Sequence, residues 1–405
     1  MFKDSDTIRA TDTTVLETGK NPPRLNSVDL ARGIVMVLMA LDHVRDYFTN
    51  VRFNPLDLTQ TSPELFMTRW ITHLCAPAFV FLAGTGAFLS TRRGKTKKEL
   101  SVFLLTRGLW LIFLELTLVR FGWVFNLDYS FSLGQVIWAI GWSMIALAGL
   151  IHFSIKTISI VGISMILFHN LFDKVTPQQA GIFGWTWQIL HYGGSIVYTP
   201  GYHFEAAYPL IPWIGVMAAG YSFGAILLKE EKKRRKILTL IGSGLIIFFF
   251  LLRLSNIYGD NNIWKEQKDF IFTFFSFINV EKYPPSLLFL AITLGITILA
   301  LPILEKAKGI AAKFFITFGR VPMFYYLLHI PLIHGLAVIT AIIMGEEFSF
   351  MFTNTPPWIW PEGWGFILPA VYAFWTGIVL LLYPLCVWYG NVKNRHRENK
   401  WLSYL

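Results

Sequence analysis

Apolar runs long enough to cross a lipid bilayer recur along this sequence. VDLARGIVMVLMALDHV, FVFLAGTGAFLS, IWAIGWSMIALAGLI, ILTLIGSGLIIFFFLL and FILPAVYAFWTGIVLLLYPL each supply most or all of a span, given the ~20 residues needed to cross hydrocarbon. Only 15% of the 405 residues are charged and 54% are hydrophobic, whereas a soluble domain carries roughly a quarter charged residues. The sequence therefore predicts an all-α polytopic membrane bundle. Spans are expected over 27–48, 69–91, 100–122, 132–152, 154–171, 206–228, 236–254, 284–304, 313–344 and 364–388. No stretch remains for a separate soluble domain, so residues 27–391 form one transmembrane domain that must itself hold the function. Fifteen Trp and fifteen Tyr suit interfacial aromatic belts.

Charge distribution sets the orientation. RRGKTKKE (92–99), Lys156, KEEKKRRK (229–236), EKAKGIAAK (305–313) and VKNRHRENK (392–400) fall on one side. Loops 49–68, 123–131, 172–205, 255–283 and 345–363 fall on the other, with five Lys/Arg and twelve Asp/Glu. By the positive-inside rule the first side is cytoplasmic, which puts both termini there. Residues 1–26 then form a disordered cytoplasmic tail and 392–405 a basic one. The net charge of +10 is thus topological, and no nucleic-acid module accompanies it. Cys75 and Cys386 are expected near opposite faces and unpaired. Without an apolar signal core, and with short cytoplasmic loops, the chain is expected in a plasma membrane.

Two segments stand out. The outer stretch 172–205, with GIFGWTWQILHYGG, reads as a re-entrant or interfacial piece or an eleventh short helix. The span 313–344 exceeds what a straight crossing needs and contains Pro322 and Pro331, which predicts a tilt or a kink beside open space. No internal repeat is visible, which weighs against a transporter built from inverted halves.

Ionisable side chains within spans are costly and usually face the bundle interior or a cavity. Asp29, Arg32, Met36, Met39, His43 and Asp46 follow spacings of three and four, which makes one stripe on a helix. At 1.5 Å per residue Arg32 and His43 lie about 16 Å apart along the axis. The bland alternative pairs Asp29 with Arg32 at one interface and leaves His43 and Asp46 capping the other. Arg69 and His73 open the second span, where Gly84 and Gly86 would allow close approach of a backbone or ligand. In GRVPMFYYLLHIPLIHG, His329 sits near mid-depth and is the functional candidate, whereas His334 reads as packing. Arg107 and Arg320 are candidates for anion contacts near the cytoplasmic side. Glu115 and Arg120 are further intramembrane charges, and Arg253 reads as an interfacial anchor that snorkels. No HExxH, CxxC, P-loop, GxSxG or GxGxxG pattern occurs, so no metal site is expected.

RLNSVDLARGIVMVLMALDHVRDYF resembles the opening of bacterial relatives of heparan-alpha-glucosaminide N-acetyltransferase. APAFVFLAGTGAFLS, YPLIPWIGVMAAGYSFG and FGRVPMFYYLLHIPLIH resemble later blocks of that group in the same order, across most of residues 24–340. The wider superfamily includes acyltransferase-3 membrane proteins, marked by an Arg and a His with ten residues between them in the first helix, as Arg32 and His43 have here. The resemblance implies transfer of an acyl group, usually from cytoplasmic acetyl-CoA, to an amine or hydroxyl of a sugar or glycan across the membrane. In the lysosomal enzyme the active histidine lies in the loop after the first span; loop 49–68 has no histidine. The role then falls to His43, as in the acyltransferase-3 pattern, or to His73.

Acyl transfer from a thioester needs a base for the acceptor proton and a positive or hydrogen-bonding site for the developing oxyanion. Histidine suits the base role. His43 is assigned that role, oriented by Asp46, with His329 completing the chamber. Arg32, Arg107 and Arg320 would bind the CoA phosphates, and Arg69 and His73 the acceptor. A transporter or flippase for a glycan or small solute is the competing reading, followed by a non-catalytic scaffold. Oligomeric state is left open, a homo-oligomer included.

Overall fold

The computed structural model describes residues 26–405 apart from 92–93, 397, 400, 401, 403 and 405. The tail expected over 1–26 therefore lies, Asn26 aside, outside the described residues. Among the described residues eight helices are long and apolar enough to cross a membrane. These are α2 (Pro63–Thr91), α3 (Lys97–Val124), α5 (Ile155–Phe172), α6 (Leu210–Leu227), α7 (Glu231–Ser255), α9 (Leu287–Leu304), α11 (Pro322–Met344) and α12 (Leu368–Arg395). Between them stand α1 (Asn26–Phe48), rich in charge, and α4 (Val136–Leu150), which has 15 residues. The protein is an all-α polytopic membrane bundle. Its short elements are α8 (Phe270–Ile278), α10 (Gly309–Arg320) and a small sheet.

Helix α1 is central, packed against α2, α9, α10, α11 and α12. Seventeen of its 23 residues are buried, which explains why a helix with this many charges can sit there: its polar groups face protein rather than lipid. Its crossing with α10 is a backbone contact. A Cβ on Gly33 would fall 1.8 Å from the Phe315 carbonyl oxygen, and one on Gly319 1.8 Å from that of Asp29.

The expected single span over 313–344 is two helices, α10 and α11. Val321 between them adopts φ −128°, ψ 48°. Pro322 lacks an N–H and disfavours helical geometry in the residue before it. It is well placed as the first residue of α11, so the proline starts a helix instead of kinking one. Pro331 lies inside α11 without ending it.

Segment 172–205 holds no further span. After short helical turns at Gly181–Phe183 and Gly184–Trp187 it forms β2 (Gly194–Thr199) and β3 (Tyr202–Ala206). With β1 (Phe131–Gly134) they make a sheet of order β1-β3-β2, parallel between β1 and β3 and antiparallel between β2 and β3. The turn runs through Pro200 and Gly201, the latter at φ +79°, a conformation glycine adopts at no steric cost. Strands lie outside what the sequence reading expected.

Arg253 corrects another expectation. Far from snorkelling, it is 1% exposed and donates to the carbonyls of Phe277 (2.8 Å), Asn262 (2.6 Å), Ser276 (3.1 Å) and Asn279 (2.9 Å). The loop after α7 folds back over the helix end and uses the guanidinium as its organising donor. Cys75 and Cys386 are both buried free thiols.

The α2–α6 contact gives a direct test of the glycine reading. A Cβ on Gly84 would stand 2.1 Å from the Met217 carbonyl oxygen, whereas one on Gly86 meets only an Arg32 guanidinium nitrogen at 3.8 Å. Gly84→Ala is expected to destabilise by about 2 kcal/mol or more through overpacking. Gly86→Ala should leave the thermal unfolding midpoint of the purified protein nearly unchanged. Equal midpoints for the two variants would refute a backbone seam at Gly84.

Candidate active site

A cavity of about 860 Å³ opens among the loops at one end of the bundle, within the range of small-ligand sites. Its floor is formed by Met39 of α1 and by Cys75, Ala76 and Phe79 of α2. Asp42, His43, Asp46, Arg69, Trp123 and Tyr326 line the walls. The rim carries Arg52, Tyr192, Glu205, Lys282 and Trp358 from five separate loops or strands. Burial holds the Glu205 carboxyl above the usual carboxylate range, partly offset by the nearby His203. Segment 172–205 thus matters as a rim, not as a span.

Helical spacing brings His43 and Asp46 together, and the packing of α11 against α1 adds His329. The His43 side chain is 16% exposed, with Nδ1 3.6 Å from Asp46 Oδ2, an electrostatic contact beyond hydrogen-bond length. The His43 and His329 ring centres lie 5.3 Å apart, and Trp123 meets the His43 ring edge-on at 5.0 Å. His329 is fully buried behind His43. Its Nδ1–H donates to the Tyr326 carbonyl at 2.6 Å, which leaves Nε2 as the ring's lone-pair nitrogen. That Nε2 is buried without a hydrogen-bond partner. His334 follows the packing reading: its Nδ1–H donates to the Gly122 carbonyl at 3.0 Å and its ring stacks on Phe125 at 3.9 Å.

Two further charged residues of α1 join the site. Asp42 accepts from Arg69 Nη1 through both carboxylate oxygens, at 2.9 and 2.7 Å, and from Arg45 Nη2 at 2.9 Å. The same Arg45 nitrogen donates to Asp46 Oδ1 at 2.7 Å. Arg69, Asp42, Arg45 and Asp46 therefore form a continuous ion-pair chain ending at His43. Sequence reasoning passed over Asp42 and Arg45 because neither belongs to the Asp29–Asp46 stripe. The signal was LDHVRDYF itself, where four ionisable residues crowd the end of a span. Trp123, a third omission, falls in the expected loop 123–131 but lies at the end of α3 in the structure.

The remaining candidates divide. Arg69 lies in the cavity wall, but His73 does not line the cavity. It is 1% exposed, with its ring edge-on to Phe289 at 5.4 Å, because a 3₁₀ turn at Thr72–Leu74 rotates it off the Arg69 face. Arg32 and Arg320 converge on Asp29, at 3.5 and 3.9 Å. Arg32 also donates to the Gly319 carbonyl at 3.3 Å, while the Arg320 side chain is 47% exposed. Arg107 lies on α3, its guanidinium over the Phe103 ring at 5.8 Å. Met36, 2% exposed, stands on α1 between Arg32 and the cavity floor at Met39. Glu115 sits in a π-helical segment of α3 and accepts the Trp138 backbone N–H at 3.3 Å.

Residues 24–255, more than half of the chain, match the family described as heparan-alpha-glucosaminide N-acetyltransferase, catalytic. The chain belongs to that family. A search of curated proteins returns no match. The family gives the protein a membrane acetyltransferase-like function in general terms. The matched stretch runs from the start of α1 to the end of α7, so it holds His43, Asp46, Asp42, Arg69, Arg32, Arg107 and His73. His329 and Arg320 lie beyond it, and the fold carries His329 back to His43.

Proposed function

We propose that the protein transfers an acyl group, acetyl in the simplest case, from cytoplasmic acyl-CoA to an amine or hydroxyl of a sugar or glycan. The acceptor enters the cavity from the extracytoplasmic face of a bacterial plasma membrane. The observation that carries this reading is the His43 ring on the cavity wall, contacted by Asp46, Trp123 and His329. His43 takes the proton of the acceptor O–H or N–H, and the freed electron pair attacks the thioester carbonyl carbon. The C–S bond then breaks, and the sulfur leaves with the proton as the CoA thiol. Asp46 orients His43 and stabilises its protonated form, and its own position is set by Arg45. His329 lies close enough to tune His43, its only free nitrogen being a lone pair in a dry site. Arg69 and Lys282 supply positive charge on the wall and rim for acceptor and oxyanion.

The donor side rests on Arg32, Arg107 and Arg320, which attract CoA phosphates at the opposite end of α1. Asp29 holds Arg32 and Arg320 together there. The acyl group reaches His43 along α1 past Met36, whose flexible side chain can move aside. The test is CoA-thiol release by purified protein in lipid nanodiscs given acetyl-CoA and a panel of amino sugars and hexoses. Release that rises with one of these acceptors is the expected result. No release from a protein that also fails to bind acetyl-CoA would return the reading to a transporter.

A further inference from the structure

Outside the cavity, His169, Asp173 and His191 bring their ligating atoms within 4.8 Å of one another. His169 and Asp173 come from the end of α5 and its following turn. His191 comes from the π-turn Gln188–Tyr192. His169 and His191 are 2% and 1% exposed. Both ring nitrogens of His169, and Nδ1 of His191, are buried without a hydrogen-bond partner. A polar group left so in a protein interior loses its hydration without compensation, so two neighbouring imidazoles with unpartnered nitrogens ask for an explanation. Packing on Trp187, whose ring lies 4.8 Å from His191, accounts for the carbon faces of the rings but not for the nitrogens.

We propose that these three residues bind a divalent first-row transition ion, with Zn²⁺ as the natural occupant. Two imidazoles and one carboxylate form a donor set suited to zinc, whereas calcium and magnesium favour all-oxygen sites. The carboxylate is already oriented. Asp173 Oδ2 accepts from Asn170 Nδ2 at 2.8 Å and Asn261 Nδ2 at 3.1 Å, while Oδ1 lies 3.1 Å from His191 Nε2. Such outer bonds commonly fix a metal ligand. Asn170 also accepts the Leu287 backbone N–H at 2.9 Å, which ties the cluster to the start of α9. Tyr192, Gly193 and Gly194, immediately after His191, line the cavity. The ion therefore pins the wall of the acceptor cavity to the bundle, a structural role separate from acyl transfer.

The test uses the full chain in nanodiscs, stripped with a chelator, incubated with Zn²⁺ and freed of excess before elemental analysis. About one Zn²⁺ per chain is expected, with a rise in thermal midpoint on rebinding. His169→Ala and His191→Ala should each cut uptake to below about a tenth, while His152→Ala keeps it. Uptake unchanged in both cluster variants, or none by the wild type at micromolar Zn²⁺, would overturn the site. Co²⁺ provides a readout that needs no variant to fold. Intense visible bands of a low-symmetry nitrogen–oxygen site are expected, and the pale spectrum of the hydrated ion would count against it. None of these readouts depends on the acyl-transfer reading.

Discussion

Replacing His43 by Ala is expected to lower acceptor-dependent CoA release by about a thousandfold, in the middle of the range for loss of a general base. The protein should still fold. His43 contributes a part-exposed ring on a cavity wall, and its Nδ1 holds no hydrogen bond that the helix needs. Affinity for acetyl-CoA should change little, because Arg32 lies about 16 Å away along α1. The loss is therefore expected in kcat rather than in donor binding. Asp46→Asn should cost less, since it weakens the orientation of the base without removing it. Full activity in His43→Ala would sink the assignment and make His329 the next residue to replace. A second readout separates base from acyl carrier. If His43 carries the acyl group, a single turnover without acceptor releases a burst of about one CoA per chain; a pure base gives none.

The legible part of this molecule is the part written in one dimension. Span positions follow from apolar run length, and the α1 stripe follows from helical periodicity. Both needed only local spacing, so His43 and Asp46 were within reach. His329 was visible as a costly intramembrane histidine, but its place beside His43 depends on how α11 packs against α1. Partners from separate elements were harder. Asp42 acquires its meaning from Arg69, 27 residues on, and Arg253 from carbonyls in a loop that hydropathy treats as solvent. The break at Val321 was written in Pro322, yet a proline can kink, start or end a helix, and the neighbours choose. The rim sheet was masked by its composition: GSIVYTPGYHFEA carries a Pro-Gly turn signal but no clean alternation of polarity. His73 shows the reverse failure. Its spacing from Arg69 put both on one helical face, and a single 3₁₀ turn separated them.

Asp42→Ala is expected to be the most destabilising polar change in the site, at about 3 kcal/mol. Removing one partner of a buried ion pair typically costs 3–5 kcal/mol, because the charge left behind is uncompensated. Here the Asp42 and Arg69 side chains are 13% and 14% exposed, on a cavity wall that water can reach, so the low end applies. Arg45 keeps Asp46 as a partner at 2.7 Å. Arg69 keeps the Thr72 hydroxyl at 3.2 Å and a side-chain hydrogen bond with Tyr283, neither of them a carboxylate. The uncompensated guanidinium is therefore mainly that of Arg69, which predicts a definite pattern in a double-mutant cycle. Arg69→Ala added to Asp42→Ala should recover part of the lost stability, and the two costs should fall well short of additivity. Activity carries a separate signature. With Arg69 gone the acceptor loses a positive group on the wall, so its KM should rise in Arg69→Ala even when temperature is lowered to restore the fold. Arg69→Lys should return charge without the planar fork and rescue KM only in part. Additive stability costs would mean that the pair contributes nothing as a pair, leaving Asp42 to act on Arg45 and Asp46 alone.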